Sequence, residues 1–241
     1  MRLAFISDIH GNAIALETVL NNIKKQNVDK IIVLGDLCFR GPEPKRSLDL
    51  VRSLETSVIK GNADEWVVRG INEGEVPQQV LEIMNAEVNW TNSKLTSEDK
   101  EYLKNLPLKL NLQYENIKIH AFHAIPDDLF EVVLPSESDE TINEKLIKNN
   151  SADIFIYAHI HKPYIRYLNG KCIINIGSVG LPFDGLRKSS YALVDIEKDS
   201  FQTAIIRVDY DVQEVIQQYQ ILDYPNKKVM SSIVMNGKFN H

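Results

Sequence analysis

Leu3-Ala4-Phe5-Ile6-Ser7-Asp8-Ile9-His10 opens this chain with a short apolar run that ends in an aspartate and a histidine. Four further stretches repeat the pattern. Ile31-Ile32-Val33-Leu34 runs into Gly35-Asp36, and Ser57-Val58-Ile59 into Lys60-Gly61-Asn62. Ile117-Lys118-Ile119 precedes His123, and Ile154-Phe155-Ile156-Tyr157 precedes His159-Ile160-His161. Short runs of β-branched and apolar residues read as buried strands. Polar residues directly after them therefore lie at strand tips, where α/β sheets gather their ligands. The chain has six histidines, and His10, His123, His159 and His161 all belong to this set. Hard oxygen donors (Asp8, Asp36, Asn62) mixed with imidazoles suit one or two divalent transition metals. The chemistry to which such a set points is metal-assisted hydrolysis.

Outward from this stretch, the first half alternates strand and helix. A strand over 2–7 leads to a helix over about 13–24, with Leu16, Val19, Leu20 and Ile23 on one face. A second strand over 30–34 precedes Gly41-Pro42-Glu43-Pro44, where Pro44 suits a first helical turn. The helix carrying Leu48, Val51 and Leu54 then leads to a third strand over 57–60. This alternation predicts a parallel sheet with right-handed crossovers. Residues from about 64 to 107 read as a more polar helical insertion beside the site. Thr96-Ser97-Glu98-Asp99 is a capped helix start within it, and Pro107 is its stop. The second half is read as strands joined by tight turns at Glu115-Asn116, Asn169-Gly170 and Lys198-Asp199. Pro135 to Asp139 reads as a loop before a helix reaching about Lys148, and a closing helix starts near Val212. The expectation is a single α/β domain over 1–241 with two sheets.

Composition narrows the functional classes. Apolar residues make up 44% and charged residues 25%, as in ordinary globular proteins. A net charge of -6 with no Lys/Arg-rich stripe argues against an extended nucleic-acid surface. Cys38 and Cys172 make no disulfide framework, which points to the cytoplasm. No uncharged apolar stretch approaches the roughly 20 residues of a membrane helix, so no membrane partner is expected. Oligomeric state is not encoded in any feature of the sequence.

Asp8-x-His10, Gly35-Asp36, Gly61-Asn62, His123 and His159-x-His161, in this order, resemble the calcineurin-like metallophosphoesterases. The small bacterial and archaeal phosphodiesterase-like branch is the most similar, sharing Gly41-Pro42 and Asn175-Ile176-Gly177-Ser178. The resemblance runs from residue 1 to about 208. It implies a four-layer αββα sandwich of two mixed β-sheets flanked by helices, with the helical insertion. It also implies two divalent metal ions, Mn²⁺ first, with Fe, Zn²⁺, Ni²⁺ or Mg²⁺ as alternatives. Asp8, His10 and His161 would hold one ion, Asn62, His123 and His159 the other, and Asp36 would bridge them. A metal-bridging hydroxide would then attack a phosphoester, as diesterase or phosphatase. The substrate would be a phosphorylated small molecule, a nucleotide or a phosphoprotein. Because alternate strand residues point to opposite faces, His159 and His161 can share a site only if the strand ends before them.

Other positions carry weaker expectations. Arg40 matches a phosphate-gripping arginine of the phosphoprotein-phosphatase branch, and its planar guanidinium suits phosphoryl oxygens. Gly177 and Ser178 would offer N–H groups and a hydroxyl nearby. Ala63 stands where the superfamily usually has a proton-donating histidine, and Phe39 where the phosphatase branch has the aspartate supporting it. His120 is the first candidate for a substitute acid, followed by Asp64 and a water, although a histidine within a strand is more often packed or hydrogen-bonded. Trp66 and Trp90 read as core residues, Cys38 as a small buried side chain, and His241 as a terminal residue without a role. The alternative to an enzyme is a metal-binding, catalytically weak scaffold, as in the small metallophosphoesterase-like subunit of retromer. Seven retained ligand positions weigh against it.

Overall fold

Strands that are apolar on both sides need a packing layer on each face. The computed structural model, which describes residues 1–238, provides those layers as two five-stranded sheets face to face. The first half contributes β1 (Arg2–Ile6), α1 (Ala13–Lys24), β2 (Lys30–Val33), α2 (Pro44–Ser53) and β3 (Ser57–Val58). Three helices follow, α3 (Asn62–Arg69), α4 (Gln78–Asn92) and α5 (Ser97–Lys104). Next come β4 (Lys109–Tyr114), β5 (Ile117–Phe122) and α6 (Asp139–Ile142), which runs into a π-helical turn at Asn143–Ile147. The chain ends with β6 (Ile154–Tyr157), β7 (Tyr164–Leu168), β8 (Lys171–Asn175), β9 (Lys188–Glu197), β10 (Ser200–Asp209), α7 (Val212–Ile221) and α8 (Lys227–Asn236).

The first sheet has the order β10-β9-β1-β2-β3 and the second β4-β5-β6-β8-β7. Both are mixed. β1 runs parallel to β2, with Phe5 opposite Ile32, and antiparallel to β9, with Phe5 opposite Ala192. β5, β6 and β8 are parallel neighbours, while β4 and β7 close the sheet antiparallel. Leu3, Phe5, Ile32 and Ile59 meet Ile119, Ile154, Ile156 and Ile174 between the sheets. Ala4, Ile6 and Val33 point the other way, into a cluster with Ala15, Leu16, Val19 and Leu48 of α1 and α2. On the far side, Phe155, Tyr157 and Ile173 pack on Ile142, Leu146 and Ile147. The four layers are thus α, β, β and α. Each fully buried Leu, Ile or Phe contributes about 1.5–3 kcal/mol, so three such clusters fix the sheets firmly.

α1 occupies the expected range, since Asn12 caps it by accepting from the Ala15 N–H. Thr96 and Asp99 form a reciprocal capping box on α5, as their spacing predicts. The third strand is shorter than expected. Lys60 donates its N–H to Pro107, and Asn62 already belongs to α3, so pairing stops at Val58. The sequence reading misses α8 altogether. Its buried face, Met230, Ile233 and Val234, joins a cluster that also holds Trp66, Val88 and Leu103 of the helical segment 62–104. No helix among the described residues is long and apolar enough to cross a membrane. His241 lies outside the described residues.

Candidate metal centre

The tips of β1, β2, β3, β5 and β6 converge because their loops are hydrogen-bonded side by side. Asp8 donates its N–H to Gly35, His10 to Asp36 and Gly11 to Leu37, which ties the first loop to the second. Val179 and Gly180 donate to Ser7 and Asp8, which locks the 177–181 loop against the opposite edge. Asp8, His10, Asp36, His159 and His161 all have φ between 48° and 67°. Asp and His enter this left-handed region more readily than most residues, and such strain gathers at functional sites. At His159 and His161 the two positive φ values, just past the end of β6, break the strand alternation. Both rings therefore turn towards the same centre.

Gly35 and Gly61 allow the second and third loops to touch. A Cβ on Gly35 would lie 2.3 Å from the Gly61 nitrogen, and one on Gly61 would lie 2.1 Å from Asp36 Oδ1. Asp36 is oriented by the Ala63 N–H, which donates to Oδ1 at 2.8 Å. Its Oδ2 is thereby left facing His10 Nε2 at 3.5 Å and His123 Nε2 at 3.4 Å.

On one side of Asp36, ligand atoms of Asp8, His10, Asp36 and His161 all lie within 4.8 Å of one another, and all four residues are buried. His10 donates Nδ1–H to the Phe39 carbonyl and His161 to the Leu181 carbonyl. Each Nε2 is therefore a lone pair, and the two face each other at 3.2 Å. Both carboxylate oxygens of Asp8 are buried without a hydrogen-bond partner. Lone pairs and orphaned oxygens converging with no donor among them are unfavourable unless a cation sits between them. On the other side, Asn62 Oδ1 lies 2.9 Å from His123 Nε2 and 2.9 Å from His159 Nδ1. His123 is oriented by Nδ1–H donation to the Leu34 carbonyl at 2.7 Å. The buried Asp8, His10, Asp36 and His161 set has the donor types that suit a metal ion.

Burial governs the electrostatics. It pushes Asp8 up, and it pushes His10 and His161 down. His159 is lowered to about 4 by burial and by the neighbouring His123. Burial would also lower His123, but the Asp36 carboxylate overcomes it and raises this imidazole to about 9. Asp36 moves the opposite way, since burial opposes its charge while His123, His10 and His159 favour it, and it ends below the usual carboxylate range. Without a cation, the Asp36–His123 pair neutralises itself by holding a proton.

Residues 1–199 match the calcineurin-like phosphoesterase superfamily domain. The chain belongs to that superfamily. An uncharacterized protein of Methanocaldococcus jannaschii, MJ0912, is 31% identical over 237 residues, covering 90% of each chain. Phosphodiesterase YfcE of Escherichia coli is 25% identical over 195 residues, covering 81% of this chain and 88% of its own. A metallophosphoesterase crystal structure from Sphaerobacter thermophilus superimposes with a TM-score of 0.79 at 24% identity, covering 98% of this chain and 99% of that one. That neighbour shares the two-sheet architecture described above.

Within this calcineurin-like fold, Asp8, His10, Asp36, Asn62, His123, His159 and His161 come together, whereas other expected participants are engaged elsewhere. His120 points to the outer face of the second sheet, where Nδ1 lies 2.7 Å from Asn111 Oδ1 and the ring packs on Phe122 and Phe155. Asp64 is fully buried and accepts three backbone N–H groups, from Asp36, Leu37 and Gly61, at 2.8–2.9 Å. Burial and the Asp36 charge push it up to about 7, against those three donors. It anchors the second loop to the third, a role that only the folded backbone reveals. Gly177 and Ser178 are not open to a ligand as expected. Gly177 donates to Asn175, and the Ser178 hydroxyl donates to the Asp8 carbonyl while accepting from Leu181. Arg40 ends the second loop, with Nε 3.5 Å from Glu87. Trp66 and Cys38 are buried, as read from the sequence, and Trp90 packs edge-on against Tyr224. Sequence reasoning missed the orienting carbonyls of Leu34, Phe39 and Leu181, because any residue type supplies a carbonyl.

Proposed function

We propose that this chain is a dinuclear-metal-dependent phosphoesterase acting first on phosphodiesters and second on phosphomonoesters. The observation that carries the reading is Asp36 Oδ2, set almost equally far from His10 Nε2 and His123 Nε2, beside a buried cluster of Asp8, His10 and His161. Asp8, His10 and His161 would hold one cation, Asn62, His123 and His159 the other, and Asp36 would be shared. Mn²⁺ is the favoured metal, and hard oxygens beside imidazoles admit Fe, Zn²⁺, Ni²⁺ or Mg²⁺ as well. Such cations, when bound, polarise phosphoryl oxygens and lower the pKa of water. The protein's part is to exclude bulk water, since all ligand groups except His159 are buried, and to fix the donors through carbonyl-bound Nδ1–H groups.

Arg40 supplies positive charge to the phosphoryl group. Ala63 offers no proton to the leaving group, and neither His120 nor Asp64 replaces it from the positions described. General acid help is worth ~10²–10⁴-fold, so esters with good leaving groups are turned over best. Phosphodiesterase YfcE supports the diester preference. The chain's substrate is a phosphorylated small molecule, a nucleotide or a phosphoprotein, in a cytoplasmic setting.

The test is Mn²⁺-dependent hydrolysis of bis-p-nitrophenyl phosphate and p-nitrophenyl phosphate, with Asp36→Asn as control. The reading predicts turnover, diester over monoester, that Asp36→Asn lowers at least ~10³-fold, equivalent to several kcal/mol of transition-state stabilisation. Bound metal with no turnover above the control would favour the scaffold.

A further inference from the structure

One short segment, Leu181-Pro182-Phe183, holds His161 by its side chain and by its backbone. The imidazole donates Nδ1–H to the Leu181 carbonyl, and the His161 carbonyl accepts the Phe183 N–H at 3.2 Å. The Phe183 ring lies flat against the imidazole, with centroids 4.2 Å apart and planes only 16° from parallel. This grip answers a physical problem of the site. His161 Nε2 faces His10 Nε2 at 3.2 Å and Asp8 Oδ1 at 3.6 Å, so lone pairs confront one another. They repel until a cation lies between them, and the χ2 torsion of a histidine has a broad, shallow well. A single hydrogen bond through Nδ1 still lets the ring tilt about that contact. A flat aromatic neighbour fixes its plane.

Phe183 is anchored on both sides. Towards the N-terminus, Leu181 donates its N–H to the Ser178 hydroxyl, which donates to the Asp8 carbonyl at 2.8 Å. Towards the C-terminus, Asp184 pairs with Arg207 of β10, and Gly185 donates its N–H to the Gly237 carbonyl at the end of α8 at 2.8 Å. Arg207 and Gly237 lie beyond residue 199, where the match to the superfamily domain ends. The C-terminal elements of this chain therefore hold the segment that holds His161.

We propose that Phe183 is a positioning residue that keeps the His161 imidazole turned towards Asp8 and His10, ready for a divalent cation. The inference rests on the cation site of the functional reading and not on its ester chemistry. Phe183 supplies no donor to the cation. It acts through His161, because a ring oriented in advance loses less freedom on binding. A leucine at 183 would fill much of the same space but offer no flat face, which separates orientation from packing.

The experiment titrates Mn²⁺ into the chelator-treated full chain by calorimetry, beside the melting temperature of the metal-free protein. His161→Ala identifies the binding step that depends on this imidazole. Phe183→Leu should raise the dissociation constant of that step about tenfold, the lower end for a partner that orients a metal-bound histidine, and leave any other step unchanged. Phe183→Tyr, which keeps the ring, should bind Mn²⁺ as the wild type does. Added to His161→Ala, Phe183→Leu should change Mn²⁺ binding no further. A lowered melting temperature with wild-type Mn²⁺ affinity in Phe183→Leu would overturn the inference and leave Phe183 a packing residue. Equal losses in Phe183→Tyr and Phe183→Leu, or a further loss in the double variant, would overturn it too. Should Phe183→Leu not fold, Phe183→Met is judged by the same outcomes. His161→Ala that alters no binding step would sink the cation site and this inference together. Phe183-dependent Mn²⁺ binding by a chain that cleaves no ester would support the inference and sink the phosphoesterase reading alone.

Discussion

Asp8 holds two fully buried carboxylate oxygens, neither in a well-formed hydrogen bond, and burial disfavours its charge until a cation arrives. Replacing it with asparagine removes the buried acid and also a ligand. Asp8→Asn should therefore raise the melting temperature of the chelated protein by about 2–4 °C, corresponding to roughly 1 kcal/mol in a chain of this size. The same variant should lose most of the thermal shift that Mn²⁺ gives the wild type. Calorimetry with EDTA and with Mn²⁺ reads both effects. A chelated variant less stable than the chelated wild type would mean that Asp8 serves packing and not a cation. The seven positions that converge were singled out in the sequence by the conjunction of five motifs at strand tips, since each motif alone reads as a turn, a cap or a surface histidine. The motifs did not reveal Asp64, whose carboxylate works on backbone N–H groups up to 28 residues away.

At the scale of elements, the site depends on two loops in contact and on the helical segment behind them. Gly61→Ala would place a methyl group 2.1 Å from Asp36 Oδ1 and 2.6 Å from the Asp36 nitrogen. Asp36 must move, and a misplacement of about 1 Å costs ~10²-fold in rate. We expect that loss in diester hydrolysis with the fold retained by circular dichroism; an active Gly61→Ala enzyme would show that Asp36 needs no such placement. Behind the loops, Glu75 fastens the link between α3 and α4 by accepting from Trp66 Nε1, the Asn72 N–H and Arg69. Burial opposes its charge, but Arg69 and the other donors hold it down at about 2, against 4.5 for an ordinary glutamate. A lowered folded value means stability that is fully present above about pH 4.5 and is lost as pH falls towards 2. Glu75→Gln should thus lower the urea midpoint at pH 7, and the gap to wild type should close as pH falls from about 4.5 to about 2. A gap independent of pH would deny the ion pair its part.

Over the whole molecule, the two sheets were legible because short runs rich in β-branched and apolar residues recur and their turns carry Asn-Gly, Glu-Asn and Lys-Asp pairs. Helices that need tertiary partners were less legible. α8 follows Asp223-Tyr224-Pro225-Asn226, which reads as a loop, and it is stabilised through Met230, Ile233 and Val234 in a cluster shared with distant helices. The Arg40–Glu87 pair was hidden for the same reason, since neither residue announces the other across the sequence. What the fold accomplishes is to bring five loops from two sheets to one point around Asp36. The most direct test is anomalous scattering from crystals soaked in Mn²⁺. The account predicts two peaks, one among Asp8, His10 and His161 and one among Asn62, His123 and His159, with Asp36 touching both. A single peak, or metal bound without Asp36, would contradict it.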